Sequence, residues 1–309
     1  MQNILITGAN GFVGNHLAKE LAEHGFNVSG VGGDIGSSDK SPYIAHYQVL
    51  DLADKNGAAH LDFRNIDGVI HLAGLAAVGP SFDDPMLYIN VNMGIEINLF
   101  ETALSQNCRP RFLVISSGSL YDPSASMPLS EASPVAPNSP YSVSKLGQEQ
   151  MAIYYAGRGF ETIIARPFNH IGPGQNPGFI APDLAQQLVE VEKGKSKKIS
   201  VGNLDATRDY TDVRDIVRAY RLLLKRGVSG EIYNVCSGKA YSGHDILNGL
   251  LKPMDIKPKI VNDPERMRPA DIAAIYGNHD KLTKHTGWKP SISIDDTLRD
   301  VVNDWRSRS

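Results

Sequence analysis

The stretch ILITGANGFVGNHL, residues 4–17, constrains the fold more than any other part of the chain. A short β-branched run ending at Thr7 passes directly into TGANGFVG and then into a segment of helical apolar period, placed at about residues 15–24. Gly8, Gly11 and Gly14 therefore fall between the end of a strand and the mouth of a helix. Glycine there lets the backbone turn sharply and approach a ligand closely, while a helix N-terminus offers unpaired N–H groups and the positive end of a dipole. Strand, glycine loop and helix in this order make a cradle for a dinucleotide diphosphate, with a plain tight turn as the alternative.

The same alternation continues downstream. Strand-like runs at 28–31, 68–73, 111–116 and 161–165 alternate with helical patterns at about 85–105 and 141–158. This order predicts an α/β fold, a doubly wound parallel sheet covered by helices on both faces. RPFNHIGPGQNPGF is too rich in Pro and Gly for a long element and marks a boundary near Arg166. Helical patterns at about 183–194 and 213–225, with strands at 198–201 and 231–235, suggest a chain that leaves the first domain, returns and leaves again. The expected division is residues 1–165 with about 207–236 as the nucleotide-binding domain. About 166–206 with 237–309 then form a smaller, mostly C-terminal α/β domain.

Bulk properties remove other classes. With 309 residues and 41% apolar composition the chain supports a sizeable core. A formal charge of -3 and the lack of a dense Lys/Arg run give no reason to expect nucleic acid or a membrane surface as partner. No apolar run approaches the roughly 18 residues of a membrane span, and Met1 is followed by a strand rather than a leader with a basic and an apolar region. Cys108 and Cys236 lie far apart without CxxC or Cys/His ligand spacing, so no disulfide, metal or redox motif is expected, and a reducing cytoplasm fits.

The strongest chemical signal is YSVSK. Tyr141 and Lys145 stand four apart on a helical pattern, so both side chains point from one face. A phenol with a pKa of about 10 is a poor proton donor or acceptor at neutral pH, and a neighbouring ammonium favours its phenolate. Alone, the pair is a common surface arrangement. It gains meaning beside the glycine loop and the serine-rich strand end SSGSLYD at 116–122.

Through TGANGFVG, HLAG at 71–74, SSGSLY, YSVSK and RPFN, the chain resembles the extended short-chain dehydrogenase/reductase family over nearly its full length. The resemblance implies a Rossmann-type domain holding NADPH or NADH. It assigns Tyr141 as acid/base, Ser117 as the hydroxyl that hydrogen-bonds the substrate carbonyl, and Lys145 as the residue that tunes Tyr141 and holds the nicotinamide ribose, with Tyr121 structural. It places Gly8, Asn10, Gly11, Phe12, Val13 and Gly14 against the cofactor, with Leu72, Ala73 and Gly74 lining it. Asn92 matches the family's helix asparagine, with a plain helix-face residue as competitor. Asp51, followed by Leu52, matches the adenine contact, although a helix cap is nearly as good a reading. After the second strand stands VGGDIGSSDK, where Asp34 lies slightly late and no arginine is near, so NAD and NADP stay undivided.

The C-terminal half narrows the resemblance. FNHIGPGQ, VGNLDATRDYTDVRDIVRAY, NVCSG and MRPAD are similar to reductases and dehydratases acting on GDP-mannose derivatives. Arg208 and Arg268 suit bidentate recognition of a sugar-nucleotide diphosphate, Asn169 and Phe179 would border the sugar, and Asp271 would accept from the nucleoside ribose. An ion pair of Arg208 with Asp209 or Asp212 is the plainer reading. Where dehydratases of this kind resemble one another in a glutamate, and the epimerising synthases in a cysteine, this chain has Ser119. A neutral hydroxyl is ill suited to abstract a sugar C5 proton. The implied reaction is reduction of the C4 ketone of GDP-4-keto-6-deoxy-D-mannose to GDP-D-rhamnose. Reduction to GDP-6-deoxy-D-talose, nucleotide-sugar 4-epimerisation and a non-catalytic dinucleotide sensor are the alternatives. The helices at about 85–105 and 141–158 resemble the pair that forms a homodimer interface in this superfamily.

Overall fold

The computed structural model describes residues 1–33, 41–264 and 274–308. Asp34, Arg268 and Asp271 lie outside the described residues.

The chain opens with β1 (Asn3–Thr7), α1 (Phe12–Glu23), β2 (Asn27–Gly32), β3 (His46–Val49), α2 (Lys55–Ala58), β4 (Gly68–His71) and α3 (Pro85–Ser105). It continues with β5 (Arg111–Ile115), α4 (Pro140–Ala156) and β6 (Thr162–Pro167). These strands and β10 (Ile232–Val235) form one seven-stranded sheet of order β10-β6-β5-β4-β1-β2-β3. Every pairing in it is parallel. The order runs outward from β1 in both directions, so the ends of β1 and β4 border the crevice where such sheets bind ligands.

Local chemistry explains the elements. β4 and β6 are buried along their whole length, as expected of strands covered on both faces. In α1, Gly14, Leu17, Ala18 and Leu21 are buried, the spacing of one helical stripe. The Asp84 side chain caps α3 ahead of Pro85, and Ser139 with Ser142 closes a capping box ahead of Pro140 at the start of α4.

One face of the sheet packs on α1 and on α6 (Val213–Arg226), with Leu17, Leu21, Ile216, Tyr220 and Leu223 in its core. The other face packs on α3 and α4 through Leu99, Phe100, Ala152 and Tyr155. A separate core joins α5 (Ile180–Glu192), β8 (Lys198–Val201), α7 (Gly243–Leu251) and α9 (Ile294–Arg308), with Leu188, Ile199, Leu250 and Trp305 inside it. Short strands flank it: β7 (Asn169–Ile171), β9 (Thr207–Asp212), β11 (Ala240–Ser242) and β13 (Ala274–Ile275) form a small sheet, while β12 (Lys259–Asn262) pairs with β8. The helix α8 (Asp280–Thr286) packs its Leu282 into the first core.

We propose that the two cores mark the two domains. The return to the first one begins later than residue 207. The strand β9 pairs with β7, β11 and β13, outside the large sheet, and it is α6 and β10 that rejoin it.

Candidate active site

Strand ends and the first turns of two helices converge on Tyr141. It sits on the opening turn of α4, 8% exposed, with Lys145 one turn further along and equally buried. Ser117 stands two residues beyond the end of β5. Its Oγ accepts from the Ser119 N–H at 3.1 Å and lies 2.9 Å from the Ser119 hydroxyl. Burial pushes the Tyr141 phenol above its ordinary value, and a hydrogen bond with Ser117 holds it back. The Tyr88 ring meets Tyr141 edge-on, with centroids 6.5 Å apart.

Lys145 is pinned rather than mobile. Its ammonium donates to the Ile115 carbonyl at 2.9 Å and to Gln148 Oε1 at 2.8 Å. An ammonium has three N–H groups, so one remains for a ribose or the phenol. Burial lowers Lys145 to about 8, opposed by the carboxyls of Glu96 and Glu149. Glu149 itself is spent on a buried bidentate pair: its oxygens accept from Arg166 Nε and Nη2 at 2.8 and 2.7 Å, and from the Ser116 hydroxyl at 2.5 Å. Arg166 also lies over the Tyr121 ring, 4.9 Å from its centroid. Tyr121 donates to Asn234 Oδ1 at 2.6 Å and is pushed up to about 12 by burial, which suits a structural tyrosine and no proton transfer.

Behind Lys145 runs a polar chain whose direction follows from its charge. Gln148 accepts from Lys145, so its amide nitrogen donates to His71 Nε2 at 3.2 Å. The other ring nitrogen then carries the proton and donates to Thr7 Oγ1 at 2.8 Å, and Thr7 also accepts from the Ala73 N–H at 3.1 Å. Burial lowers His71 to about 3, which agrees with a neutral ring.

The glycine loop fits a dinucleotide. Gly8 has φ +67°, and a Cβ added to it would stand 2.9 Å from the Ala73 nitrogen; one added to Gly14 would stand 2.4 Å from the Gly8 carbonyl. The backbone is thus drawn tight around the start of α1, where no side chain caps the N–H groups, and Phe12 and Val13 form the first turn. The Asn10 side chain reaches over Gly32 at the end of β2. Gly74 has φ +147° and lies under Asn92, whose Oδ1 accepts from the Leu75 N–H at 2.7 Å and whose amide donates to Ser144 at 2.9 Å. Asn92 therefore fixes the backbone that follows β4 and is not a plain helix-face residue. Asp51 caps no helix: it accepts from the Ala53 N–H, and Asp54 caps α2. Asn98 donates to the carbonyls of Leu52 and Ala53 and holds that loop in place.

The expected substrate residues divide. Phe168 packs on Gly118 and Tyr121, so the turn carrying Ser117 and Ser119 meets the start of β7 and its exposed Asn169. Arg208 lies on the neighbouring β9, donating to the Thr207 carbonyl. Asp209 accepts from the N–H groups of Ser237 and Gly238, and Asp212 from Arg214 and Thr297. Phe179 is 42% exposed at the start of α5, on an element apart from the Ser117–Tyr141–Lys145 cluster. Sequence reasoning missed Thr7, Tyr88, Glu96, Asn98 and Gln148, and gave His71 and Arg166 no role although their motifs stood out. Helical spacing from Asn92 and Tyr141 was the one signal that pointed to Tyr88, Glu96 and Gln148.

A dinucleotide cradle at β1, a Ser-Tyr-Lys set at β5 and α4, and a second α/β unit over the crevice define an extended short-chain dehydrogenase/reductase. The chain belongs within that class to the family described as GDP-mannose 4,6 dehydratase, whose model matches residues 5–301. It is 35% identical to the GDP-6-deoxy-D-mannose reductase of Pseudomonas aeruginosa, over 99% of this chain and 98% of that one. The structure of RMD from Pseudomonas aeruginosa complexed with NADPH superposes with TM-score 0.87 at 34% identity, covering 100% of both chains. UDP-glucose 4-epimerase from Bifidobacterium longum, in complex with NAD+ and UDP, superposes with TM-score 0.87 at 27% identity, over 99% of this chain and 98% of that one. No helix among the described residues is long and apolar enough to cross a membrane.

Proposed function

We propose that the protein reduces the C4 ketone of GDP-4-keto-6-deoxy-D-mannose to GDP-D-rhamnose. The observation that carries this reading is the hydroxyl pair at the end of β5. Ser119 lies 2.9 Å from Ser117, so the position beside the carbonyl-orienting serine holds neither a carboxylate nor a thiol. Proton abstraction from the sugar needs a base tuned toward the working pH, and Ser119 is not one. The likeness to the Pseudomonas reductase over the full length supports the same reading.

The cradle of Gly8, Gly11 and Gly14 would hold the diphosphate of NADPH or NADH, and Lys145 the nicotinamide ribose. The bound cofactor supplies the hydride that adds to C4. Ser117 hydrogen-bonds the ketone oxygen, and Tyr141 gives its phenolic proton to that oxygen, so that C=O becomes CH–OH. The ammonium of Lys145, two of its bonds fixed to the protein, stabilises the phenolate that remains. Asn169 and Arg208, with Arg268 and Asp271, would grip the GDP portion and hold the reacting carbon in place. The enzyme is taken to work in the cytoplasm as a homodimer through α3 and α4, where Met86, Leu87, Val143, Ile153 and Tyr154 are exposed.

The test is incubation with GDP-4-keto-6-deoxy-D-mannose and NADH or NADPH, followed by NMR of the product. GDP-D-rhamnose with stoichiometric cofactor oxidation is expected. GDP-6-deoxy-D-talose would place hydride addition on the other face. Inversion at C4 of a nucleotide sugar that carries a C4 hydroxyl, such as UDP-glucose, without net cofactor consumption and with no reduction of the ketone would instead make the protein a 4-epimerase, the activity named for its Bifidobacterium structural relative.

A further inference from the structure

Glu96 is buried within α3, 0% exposed, and neither of its carboxyl oxygens has a hydrogen-bond partner among the described residues. A buried carboxyl without partners is costly, whether charged or neutral, unless something nearby compensates it. The register of α3 on α4 shows what lies opposite. Asn92 donates to Ser144 at 2.9 Å, and Tyr155 donates to Glu101 at 2.8 Å. Both helices therefore advance together, and Glu96, one turn beyond Asn92, lies level with Gln148, one turn beyond Ser144. Close contact of Met93 with Gly147 fixes the same level. At that level Gln148 holds the Lys145 ammonium at 2.8 Å.

We propose that Glu96 is a positioning residue for Lys145, the internal counter-charge that keeps its ammonium in the dry site. This rests on the reading of Lys145 as the residue that steadies Tyr141 and the cofactor. Glu149 also favours the charged Lys145, but the other ionisable groups around it leave Glu96 as the carboxyl not already committed to a cation. Glu149 on α4 is paired with Arg166 of β6, and His71 on β4 is neutral within its chain to Thr7. The phenols of Tyr141, Tyr88 and, on α6, Tyr220 carry no charge until far above neutral pH. Burial holds the Glu96 carboxyl well above the ordinary carboxylate range, with the Lys145 ammonium and the nearby Gln148 amide pulling it back, so the ionisations of Glu96 and Lys145 are linked. When Lys145 is charged, Glu96 gives up its proton more readily, and its carboxylate, acting through space rather than in contact, holds Lys145 charged to higher pH.

The test is Glu96→Gln, which keeps shape and removes the charge. Binding of NADPH without sugar, followed by fluorescence across pH, reads Lys145 directly, and the pH profile of kcat/KM reads it during turnover. In Glu96→Gln the alkaline loss of both should move about one unit to lower pH, a tenfold deficit on that limb, with little change below neutral pH. Glu96→Asp, which keeps a carboxylate, should restore most of the shift, and it serves if the Gln variant does not fold. Superposable profiles for wild type and Glu96→Gln, or equal shifts in the Asp and Gln variants, would overturn the inference. If the wild type fails to reduce the ketone while its NADPH binding still shifts in Glu96→Gln, the substrate reading falls and the role of Glu96 stands.

Discussion

Tyr141 is buried against Ser117 and Tyr88, and in the proposed mechanism its hydroxyl gives the proton to the ketone oxygen. Tyr141→Phe should cut the reduction rate by about 10²- to 10⁴-fold while leaving NADPH binding nearly intact, as stopped-flow turnover and fluorescence titration would show. His71 carries a different consequence. Its folded pKa, lowered to about 3, lies below the ordinary histidine value, so between those two points the unfolded chain binds the extra proton. Stability is full above about pH 6.5 and falls as pH drops toward 3. Urea denaturation at pH 7 and pH 4.5 should show that loss, and His71→Asn should show less of it. Beyond the helical spacing that puts Glu96 below Asn92 and Gln148 below Tyr141, nothing in the sequence joined these residues to His71. Polar residues on helix faces read as solvated unless the partner helix is known, and the partner here is about fifty residues away.

At the scale of elements, alternation of β-branched runs with helical periods was enough to read a parallel sheet covered by helices on both faces. The helix α3 falls at 85–105, as its apolar period and Pro85 imply. The small sheet was not legible: β9 is TRDYTD, and β13 has two residues, too short and polar for a period of two to stand out. The start of α1 tolerates no side chain at Gly14. Gly14→Ala should cost about 1–3 kcal/mol and abolish dinucleotide binding, measured by thermal melting and by titration. The exposed apolar residues of α3 and α4 make a second prediction. Tyr154→Glu, at a position 55% exposed, should leave the melting temperature near that of wild type and convert a dimer to monomer by sedimentation velocity.

For the whole molecule, the join between the two cores is polar and specific. Asp215 on α6 is 1% exposed, and its carboxylate accepts from the N–H groups of Ser291 and Ile292 at 2.7 and 2.9 Å and from the Ser291 hydroxyl at 2.8 Å. Trp288 donates to the Asp215 carbonyl, and Arg218 completes the ion pair. This contact was not legible in the sequence, because an aspartate in a helical pattern such as that at 213–225 reads as a surface charge. Asp215→Ala should destabilise the protein by about 3–5 kcal/mol, measured by urea denaturation, with the C-terminal helix α9 becoming protease-sensitive first.

The position of β10 at the edge of the large sheet has a consequence for how the chain is made. Its neighbour β6 ends at Pro167, and β10 does not begin until Ile232, after the whole of α5, β8, β9 and α6. At a synthesis rate of about 5–20 residues per second, β6 waits about 3–13 s with one edge unpaired. An open, apolar strand edge invites pairing with other chains. The nascent protein is thus most exposed to misassembly after its catalytic residues have been synthesised and before its sheet can close.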